Sequence, residues 1–219
     1  MKIKSVGVVG LGATAGAVAG RLSEQGLDVT VYDRNPEKAA AAVAAGARLT
    51  RIPADAAEPA DVVLLCMPDE VAVEEVLFDC GGIGETLCDG GFVVDASPTG
   101  PEFARTSAAR LAQLGLIGVE VCLVGDAVRA RDGELRVLAG CAPADLAVVQ
   151  PVLWAFANEI THVGPVGSVA TLRLMSEVLL RSQAAAVAEA IRCAEGSGLD
   201  PEPLLRRLTN GLLAPPVLA

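Results

Sequence analysis

The sequence predicts an α/β protein with a doubly wound parallel sheet, followed by a long helix and a short helical C-terminal segment. Apolar runs of strand length, such as residues 3–9 and 61–66, are typical of strands buried on both faces of a parallel sheet. Segments with helical periodicity alternate with these runs over short connections, which favours the doubly wound arrangement. The alternation ends at Gly164, because residues 166–195 contain no proline and repeat apolar side chains at helical spacing.

Turn and cap residues mark where the predicted elements begin and end. A glycine-rich turn follows the first strand, Gly26 ends the first helix, and Pro36 suits the first turn of the second helix. Asp33 ends the second strand, and Pro68 closes the third. We therefore predict strands at 3–9, 29–32, 61–66, 91–95, 116–121 and 134–139, and helices at 13–25, 36–46, 69–78, 101–114, 143–157 and 201–213.

The change of pattern at Gly164 predicts two domains. Residues 1–163 form the α/β domain, and residues 164–219 form a short helical domain that begins with the long helix. A helix of about 30 residues spans roughly 45 Å. One short neighbouring helix does not cover such a length, so we expect the helix at 166–195 to pack against a second copy in a homodimer.

Composition excludes several classes of protein. The chain has 219 residues, is 52% hydrophobic and 20% charged, and carries a formal net charge of −10, which suits a globular protein with a substantial core. No apolar run reaches the ~18 residues of a membrane span, and no basic cluster suits nucleic acid. The first residues lack the pattern of a secretory leader, and the six cysteines include no CxxC pair. We therefore expect a cytoplasmic protein with reduced thiols and no metal site.

A glycine-rich motif follows the first predicted strand and opens the first predicted helix. In this G-x-G-x-x-G/A pattern the first glycine permits a tight turn, and the second lets the backbone approach a pyrophosphate. The last small residue keeps helix and strand close, and the helix N-terminus attracts the phosphates. The motif predicts a Rossmann-type dinucleotide site formed by Gly10, Leu11, Gly12, Ala13, Thr14 and Ala15.

An acidic residue occupies the position that the motif requires for the ribose of the cofactor. Asp33 follows Gly12 by 21 residues at the end of the second strand, where its carboxylate can accept hydrogen bonds from the adenosine ribose. Because a carboxylate repels a 2′-phosphate, Asp33 favours NAD. Arg34 beside it can pair with a 2′-phosphate or stack on adenine, so NADP remains a possible cofactor. Arg34 can also be a solvated turn residue with no role at the cofactor.

Further blocks along the chain, in the expected order, resemble the β-hydroxyacid dehydrogenase family. That family includes 3-hydroxyisobutyrate dehydrogenase and, more distantly, 6-phosphogluconate dehydrogenase and the imine reductases. Several spaced blocks are more specific than one glycine-rich turn. The matching segments are residues 8–34, Cys66-Met67-Pro68-Asp69, Asp95-Ala96-Ser97-Pro98, residues 120–140 and residues 164–167.

The resemblance implies NAD(P)-dependent hydride transfer to or from a small carbonyl, hydroxy-acid or imine substrate. It places Met67 and Pro68 against the cofactor and Ser97 at the substrate. The catalytic lysine of the family falls on Arg173, its asparagine falls on Glu177, and its substrate-binding S-G-G becomes Val124-Gly125-Asp126. The candidate catalytic residues are therefore Ser97, Asp126, Arg173 and Glu177.

The arginine at the lysine position changes the chemistry that the site can perform. A buried lysine can be tuned to release a proton near neutral pH, whereas a guanidinium with a pKa above about 12 cannot. Arg173 can instead bind a substrate carboxylate or phosphonate through two hydrogen bonds. Proton transfer would then fall to Glu177, Asp126 or an ordered water.

Structural roles for the same residues remain open. Arg173 and Glu177 are four residues apart and can pair on one helix face, Asp126 suits a turn, and Ser97 can end a strand. Two functions therefore stand side by side: an oxidoreductase of this type, and an NAD(P)-binding protein that has lost turnover. A scaffold without ligand is disfavoured, because it has no physical need for an intact nucleotide motif.

Overall fold

The structure of the chain, a computed structural model, describes residues 3–79, 81–203 and 206. The chain divides into two compact units, the first ending at Thr171 and the second beginning at Leu172. The first unit contains the sheet and the helices that cover it, and the second contains most of the long helix.

Eight strands form one sheet in the described part of the chain. They are β1 (Ser5–Val9), β2 (Asp28–Tyr32), β3 (Arg48–Leu49), β4 (Val62–Leu65), β5 (Phe92–Asp95), β6 (Ile117–Val124), β7 (Leu135–Gly140) and β8 (Ala157–Gly164). Their order across the sheet is β3-β2-β1-β4-β5-β6-β7-β8. Neighbouring strands are parallel except for β6 and β7.

The helices of the described residues connect these strands and cover both faces of the sheet. They are α1 (Ala13–Glu24), α2 (Ala40–Ala44), α3 (Pro53–Ala57), α4 (Glu70–Phe78), α5 (Ile83–Thr86), α6 (Pro101–Gln113), α7 (Ala127–Asp132), α8 (Pro143–Leu153) and α9 (Ser168–Gly196). A 3-10 turn at Pro36–Ala39 leads into α2. Of the last predicted helix, residues 201–203 and 206 are helical, and the rest of 201–213 lies outside the described residues.

The core confirms the predicted α/β class, because alternate residues of a strand pack on opposite faces. In β4, Val62 and Leu64 belong to an apolar cluster that includes the buried sides of α1 and α8. Val63 and Leu65 belong to a second cluster with the buried sides of α4 and α6. A strand buried on both faces needs a continuous apolar sequence, which is why the sequence signal at 61–66 was strong.

One strand departs from the direction of its neighbour. β7 runs antiparallel to β6, within the predicted and otherwise parallel sheet. The connection between the two strands is residues 125–134 and holds only the short helix α7. A parallel crossover needs about a dozen residues or more, so the short connection forces the chain to return antiparallel.

The last strand of the sheet was not predicted. The helix expected at 143–157 ends at Leu153, and residues from Ala157 onward form β8. β8 lies at the edge of the sheet and buries only its first residue, Ala157, so it lacks the apolar run of a buried strand. The short elements β3, α3, α5 and α7 were also missed, since each has six residues or fewer.

Strand register aligns the carboxyl ends of the parallel strands with the approach to the long helix. One row of paired residues crosses the sheet, formed by Tyr32, Val9, Leu65, Asp95, Glu120, Gly140 and Gly164. α9 begins four residues after the last member of this row. The end of the sheet that carries the glycine-rich turn is therefore also the end from which α9 starts.

A buried carboxylate anchors the first turn of α9. The Glu120 side chain, in a residue only 7% exposed, accepts hydrogen bonds from three backbone N–H groups. The donors are Gly167 at 2.6 Å, Val169 at 3.2 Å and Ala170 at 2.7 Å. A helix N-terminus carries unsatisfied N–H groups and a partial positive charge, so an anion at this point fixes where the helix begins.

We expect Glu120→Gln to lower the free energy of unfolding of the first unit by about 2 kcal/mol, because a neutral amide cannot accept all three hydrogen bonds as strongly. Urea unfolding followed by the fluorescence of Trp154, the single tryptophan, measures the change. Glu134→Gln, at an exposed position, is the control and should change stability by less than about 0.5 kcal/mol. Equal stability of wild type and Glu120→Gln would contradict the anchoring role.

Candidate functional site

The turn after β1 requires a glycine at its first position. Gly10 has a φ of +88°, and a Cβ atom there would lie 2.3 Å from the carbonyl oxygen of Cys66. Its N–H donates a hydrogen bond to the carbonyl oxygen of Tyr32 at 2.9 Å. The fold itself therefore requires Gly10, because only glycine fits the conformation and the close approach to the residue after β4.

Gly12 is not required by the fold. It is the N-cap of α1 with φ −61° and ψ 169°, a conformation that any residue adopts. A Cβ atom at this position would have no heavy atom within 4 Å. No side chain caps α1, so the N–H groups of its first turn, which includes Ala13 and Thr14, remain available to an anion. The open space beside Gly12 fits a pyrophosphate that lies against the backbone.

Asp33 holds the glycine-rich turn against the end of β2. One carboxylate oxygen accepts from the N–H of Leu11 at 2.7 Å, and the other accepts from the N–H of Asn35 at 2.8 Å. Lys38 adds an ion pair at 3.4 Å. Burial alone would raise the pKa of Asp33, but the backbone hydrogen bonds and the Lys38 ammonium outweigh it and lower the pKa below its ordinary value. The carboxylate that we assigned to the ribose is thus ionised and fixed in place.

A cavity of about 670 Å³ opens between the glycine-rich turn, the end of β2 and the start of α4. It brings together six of the predicted cofactor residues and adds Lys38 and Glu75, which the sequence reasoning did not assign to the site. Lys38 lies close to Asp33 in sequence and could have been suspected, whereas Glu75 is 41 residues from the Arg34 that it contacts. The lining residues are Gly10, Gly12, Tyr32, Asp33, Arg34, Lys38, Cys66, Met67, Pro68, Asp69, Val71, Ala72, Glu75 and Val76.

Cys66 contributes a thiol to the wall of this cavity. Burial, together with the nearby Asp95 carboxylate, raises the pKa of Cys66 to about 12. A thiol with that pKa remains protonated across the neutral range, so it acts as a small apolar wall and not as a nucleophile.

Ser97 is buried at the end of β5, next to the loop that carries Met67 and Pro68. Its Oγ accepts a hydrogen bond from the N–H of Met67 at 2.9 Å, and its own N–H donates to Asp95 Oδ1 at 2.8 Å. A serine hydroxyl that accepts in this way still has a hydrogen to donate. Ser97 therefore joins the loops after β4 and β5, although it is not among the residues that line the cavity.

Asp126 has a structural role at the start of α7. Its carboxylate is the N-cap and accepts from the N–H groups of Val128 and Arg129, both at 3.0 Å. The hydrogen bond from Arg129 is the largest reason that the pKa of Asp126 lies below its ordinary value. A carboxylate with a lowered pKa is a poor proton donor near neutral pH.

The remaining catalytic candidates lie on α9 in the second unit. Glu177 forms an ion pair with Arg181, one turn further along, at 3.7 Å between Oε2 and Nη2. Arg173 lies one turn before Glu177 on the same helix and also makes an interaction within the chain. Their roles at a substrate stay predictions.

Two further findings concern the described residues alone. No group of three or more His, Cys, Asp or Glu side chains among them could hold a metal ion. None of the helices in that part of the chain has the length and apolar character to cross a membrane.

Comparison with known proteins identifies the family to which this chain is similar. A family model described as the NAD binding domain of 6-phosphogluconate dehydrogenase matches residues 5–164. An uncharacterized oxidoreductase of Synechocystis is 31% identical over 213 residues, which cover 96% of this chain and 73% of the relative. The mitochondrial 3-hydroxyisobutyrate dehydrogenase of Rattus norvegicus is 28% identical over 205 residues, covering 94% of this chain and 61% of the relative.

Solved structures have the same fold. The Mycobacterium tuberculosis 3-hydroxyisobutyrate dehydrogenase with L-serine has a TM-score of 0.87 at 24% identity, covering 97% of this chain and 72% of that one. An imine reductase variant from Myxococcus stipitatus in complex with NAD+ has a TM-score of 0.81 at 22% identity, covering 95% and 72%. At these identities the likeness concerns the fold.

We expect Gly12→Ala to weaken NADH binding by about tenfold or more while leaving the free energy of unfolding within about 1 kcal/mol of wild type. The added methyl group meets no protein atom within 4 Å, but it occupies the space in which the motif predicts a pyrophosphate. A titration of the protein with NADH, followed by nicotinamide fluorescence, measures the affinity. Urea unfolding of the same variant measures the stability.

Gly10→Ala is the matched control for this experiment, because it adds the same methyl group in the same turn. It should lose about 2 kcal/mol or more of stability, since it forces a clash and a strained φ. Wild-type NADH affinity in Gly12→Ala would show that no ligand uses the space beside Gly12.

Proposed function

Because the chain belongs to the 6-phosphogluconate dehydrogenase family of NAD(P)-binding oxidoreductases, as its motifs predicted, we propose that it transfers a hydride between a nicotinamide cofactor and a small carbonyl, hydroxy-acid or imine substrate. One observation carries the cofactor part of this proposal. The space beside Gly12 and the ionised Asp33 lie at the same edge of the sheet, and the protein fold alone does not require the glycine.

The residues of the chain have distinct tasks toward the cofactor. Bound NAD(P) supplies or accepts the hydride. The N–H groups at the start of α1 hold the pyrophosphate, and the missing side chain of Gly12 allows the close approach. Asp33 accepts a hydrogen bond from the ribose, and its negative charge disfavours a 2′-phosphate, which supports NAD over NADP. Met67 and Pro68 form the wall of the cavity after β4.

On the substrate side, we propose Ser97 of the first unit as a binding residue. Arg173 of α9 is a separate candidate, supported by the family resemblance alone. The Ser97 hydroxyl can donate to a substrate oxygen, and the Arg173 guanidinium can hold a carboxylate through two hydrogen bonds. Neither releases a proton near neutral pH. An iminium substrate already carries its proton, so imine reduction is the reaction that these residues support with the fewest further groups.

A catalytically degenerate NAD(P)-binding protein is the second candidate function. It is favoured by the structural use of residues that would otherwise move protons. Asp126 caps α7, and Glu177 pairs with Arg181. In this alternative the nucleotide site stays intact and turnover is absent.

A spectrophotometric assay tests turnover directly. We expect the chain to oxidise NADH in the presence of a small cyclic imine faster than with a small aldehyde or keto acid. Solvent can protonate the imine nitrogen before the substrate binds, whereas a carbonyl needs a proton donor in the site. The double variant Arg173→Lys/Glu177→Asn should raise carbonyl reduction by about tenfold or more if it restores general acid catalysis. Loss of NADH absorbance measures each rate, and a reaction without the protein gives the background.

The outcomes distinguish the two candidates. Tight NADH binding with no oxidation over the whole substrate panel, in wild type and double variant alike, would contradict the oxidoreductase and support the binding protein. No binding of NADH or NADPH up to millimolar concentration would contradict both.

We also propose that α9 pairs with α9 of a second copy. Large apolar side chains near its start are exposed, among them Met175 at 59%, Val178 at 62% and Leu180 at 64%. A helix with so much exposed apolar surface is typically covered by a partner.

Light scattering tests the dimer. We expect a two-chain mass for wild type at micromolar concentration. Leu179 of the same helix is 56% exposed, and Leu179→Arg should give a one-chain mass, because a buried unpaired charge is costly at an apolar interface. Unfolding followed at Trp154 should be unchanged in the first unit of that variant, which controls for misfolding. A one-chain mass for wild type would contradict the dimer.

A further inference from the structure

Two ion pairs lie on the wall of the cavity near Asp33. Lys38 pairs with Asp33, and Arg34 pairs with Glu75 through Nη2 and Oε2 at 3.1 Å. Arg34 follows β2, whereas Glu75 projects from α4, and both side chains line the cavity. The Arg34–Glu75 pair therefore lies on the same cavity wall as Asp33, the carboxylate that we assign to the ribose.

This pair contributes little to folding. The Arg34 side chain is 77% exposed and the Glu75 side chain is 51% exposed, and exposed ion pairs are typically weak. The pair matters because it lies on the cavity wall beside Asp33. An arginine next to the acid at the end of β2 is the group that would accept the 2′-phosphate of NADP.

A 2′-phosphate at Arg34 would meet Glu75 as a competitor. The phosphate would have to displace the Glu75 carboxylate from the Arg34 guanidinium or share the guanidinium with it. It would also lie close to two anionic side chains, Asp33 and Glu75. A 2′-hydroxyl carries no charge and has no such conflict. The paired guanidinium can still present its flat face to adenine, because stacking does not use the N–H groups that bind the carboxylate.

We propose that Glu75 is a specificity-determining residue that keeps Arg34 from binding a 2′-phosphate and so makes the site select NAD over NADP. This inference rests on the proposed function, since it assigns the cofactor preference of the same site. The residue acts through Arg34 and does not contact the reacting atoms.

Glu75→Gln tests the proposal, because it removes the charge and keeps the shape of the side chain. We expect the Kd of NADPH to fall about fivefold while the Kd of NADH stays within about twofold of wild type. The difference between variant and wild type should shrink at 0.5 M salt, where charge interactions are screened. Titrations of wild type and variant with NADH and with NADPH, followed by nicotinamide fluorescence, give the four Kd values.

Glu74→Gln is the matched control on the same helix. Glu74 also pairs with an arginine, Arg110, and its side chain is 41% exposed, but it is not among the residues that line the cavity. Its substitution should leave the NADPH to NADH ratio unchanged. In the double variant Arg34→Gln/Glu75→Gln, the gain in NADPH affinity should disappear, because the phosphate then lacks its partner.

Each outcome bears on the proposal. An unchanged ratio in Glu75→Gln, the same change in Glu74→Gln, or a gain that persists without Arg34 would overturn the role of Glu75 and leave the proposed function intact, provided that wild type binds NADH. Failure of wild type to bind either dinucleotide would overturn both.

Discussion

The approach of the turn after β1 to the end of β4 is the constraint on which the rest of the nucleotide site depends. Only a residue without a Cβ atom can stand at Gly10, because the carbonyl oxygen of Cys66 occupies the space. The turn therefore packs directly against the residue after β4, and the next residue, Leu11, donates its N–H to Asp33. α1 then starts beside the cavity with its first N–H groups available. Backbone geometry defines the site more than any single side chain does.

The acidic side chains on the cavity wall each accept a hydrogen bond or form an ion pair within the first unit. Asp33 accepts from backbone and from Lys38, Asp69 caps α4 by accepting from Ala72, and Glu75 pairs with Arg34. The net charge of −10 is thus not concentrated as unpaired carboxylates on the cavity wall. In the proposed site, a pyrophosphate would be attracted mainly by the oriented N–H groups at the start of α1, which act over a short range and require a close fit.

Local sequence signals predicted the parts of the fold that depend on local physics. Gly10, Gly12 and Asp33 were predicted from spacing alone, since a turn, a helix start and a strand end must follow one another in order. The contact of Glu75 with Arg34 depends on how α4 packs, and no local pattern reports it. The reversal at β7 depends on the length of a connection and not on the residues of the strand. The edge strand β8 is too exposed to carry an apolar signature.

β8 is one of the two outer strands of the sheet, and at eight residues it is much longer than β3 at the other edge. A long, regular edge strand is a template on which other chains can add and aggregate. The pairing of β8 with β7 skips Asn158 and Val163, so the strand bulges near both ends. Bulges bend and twist a strand, and Glu159 places a charge along it. The bulges and the charge therefore make this edge a poor template for the addition of a strand from another chain.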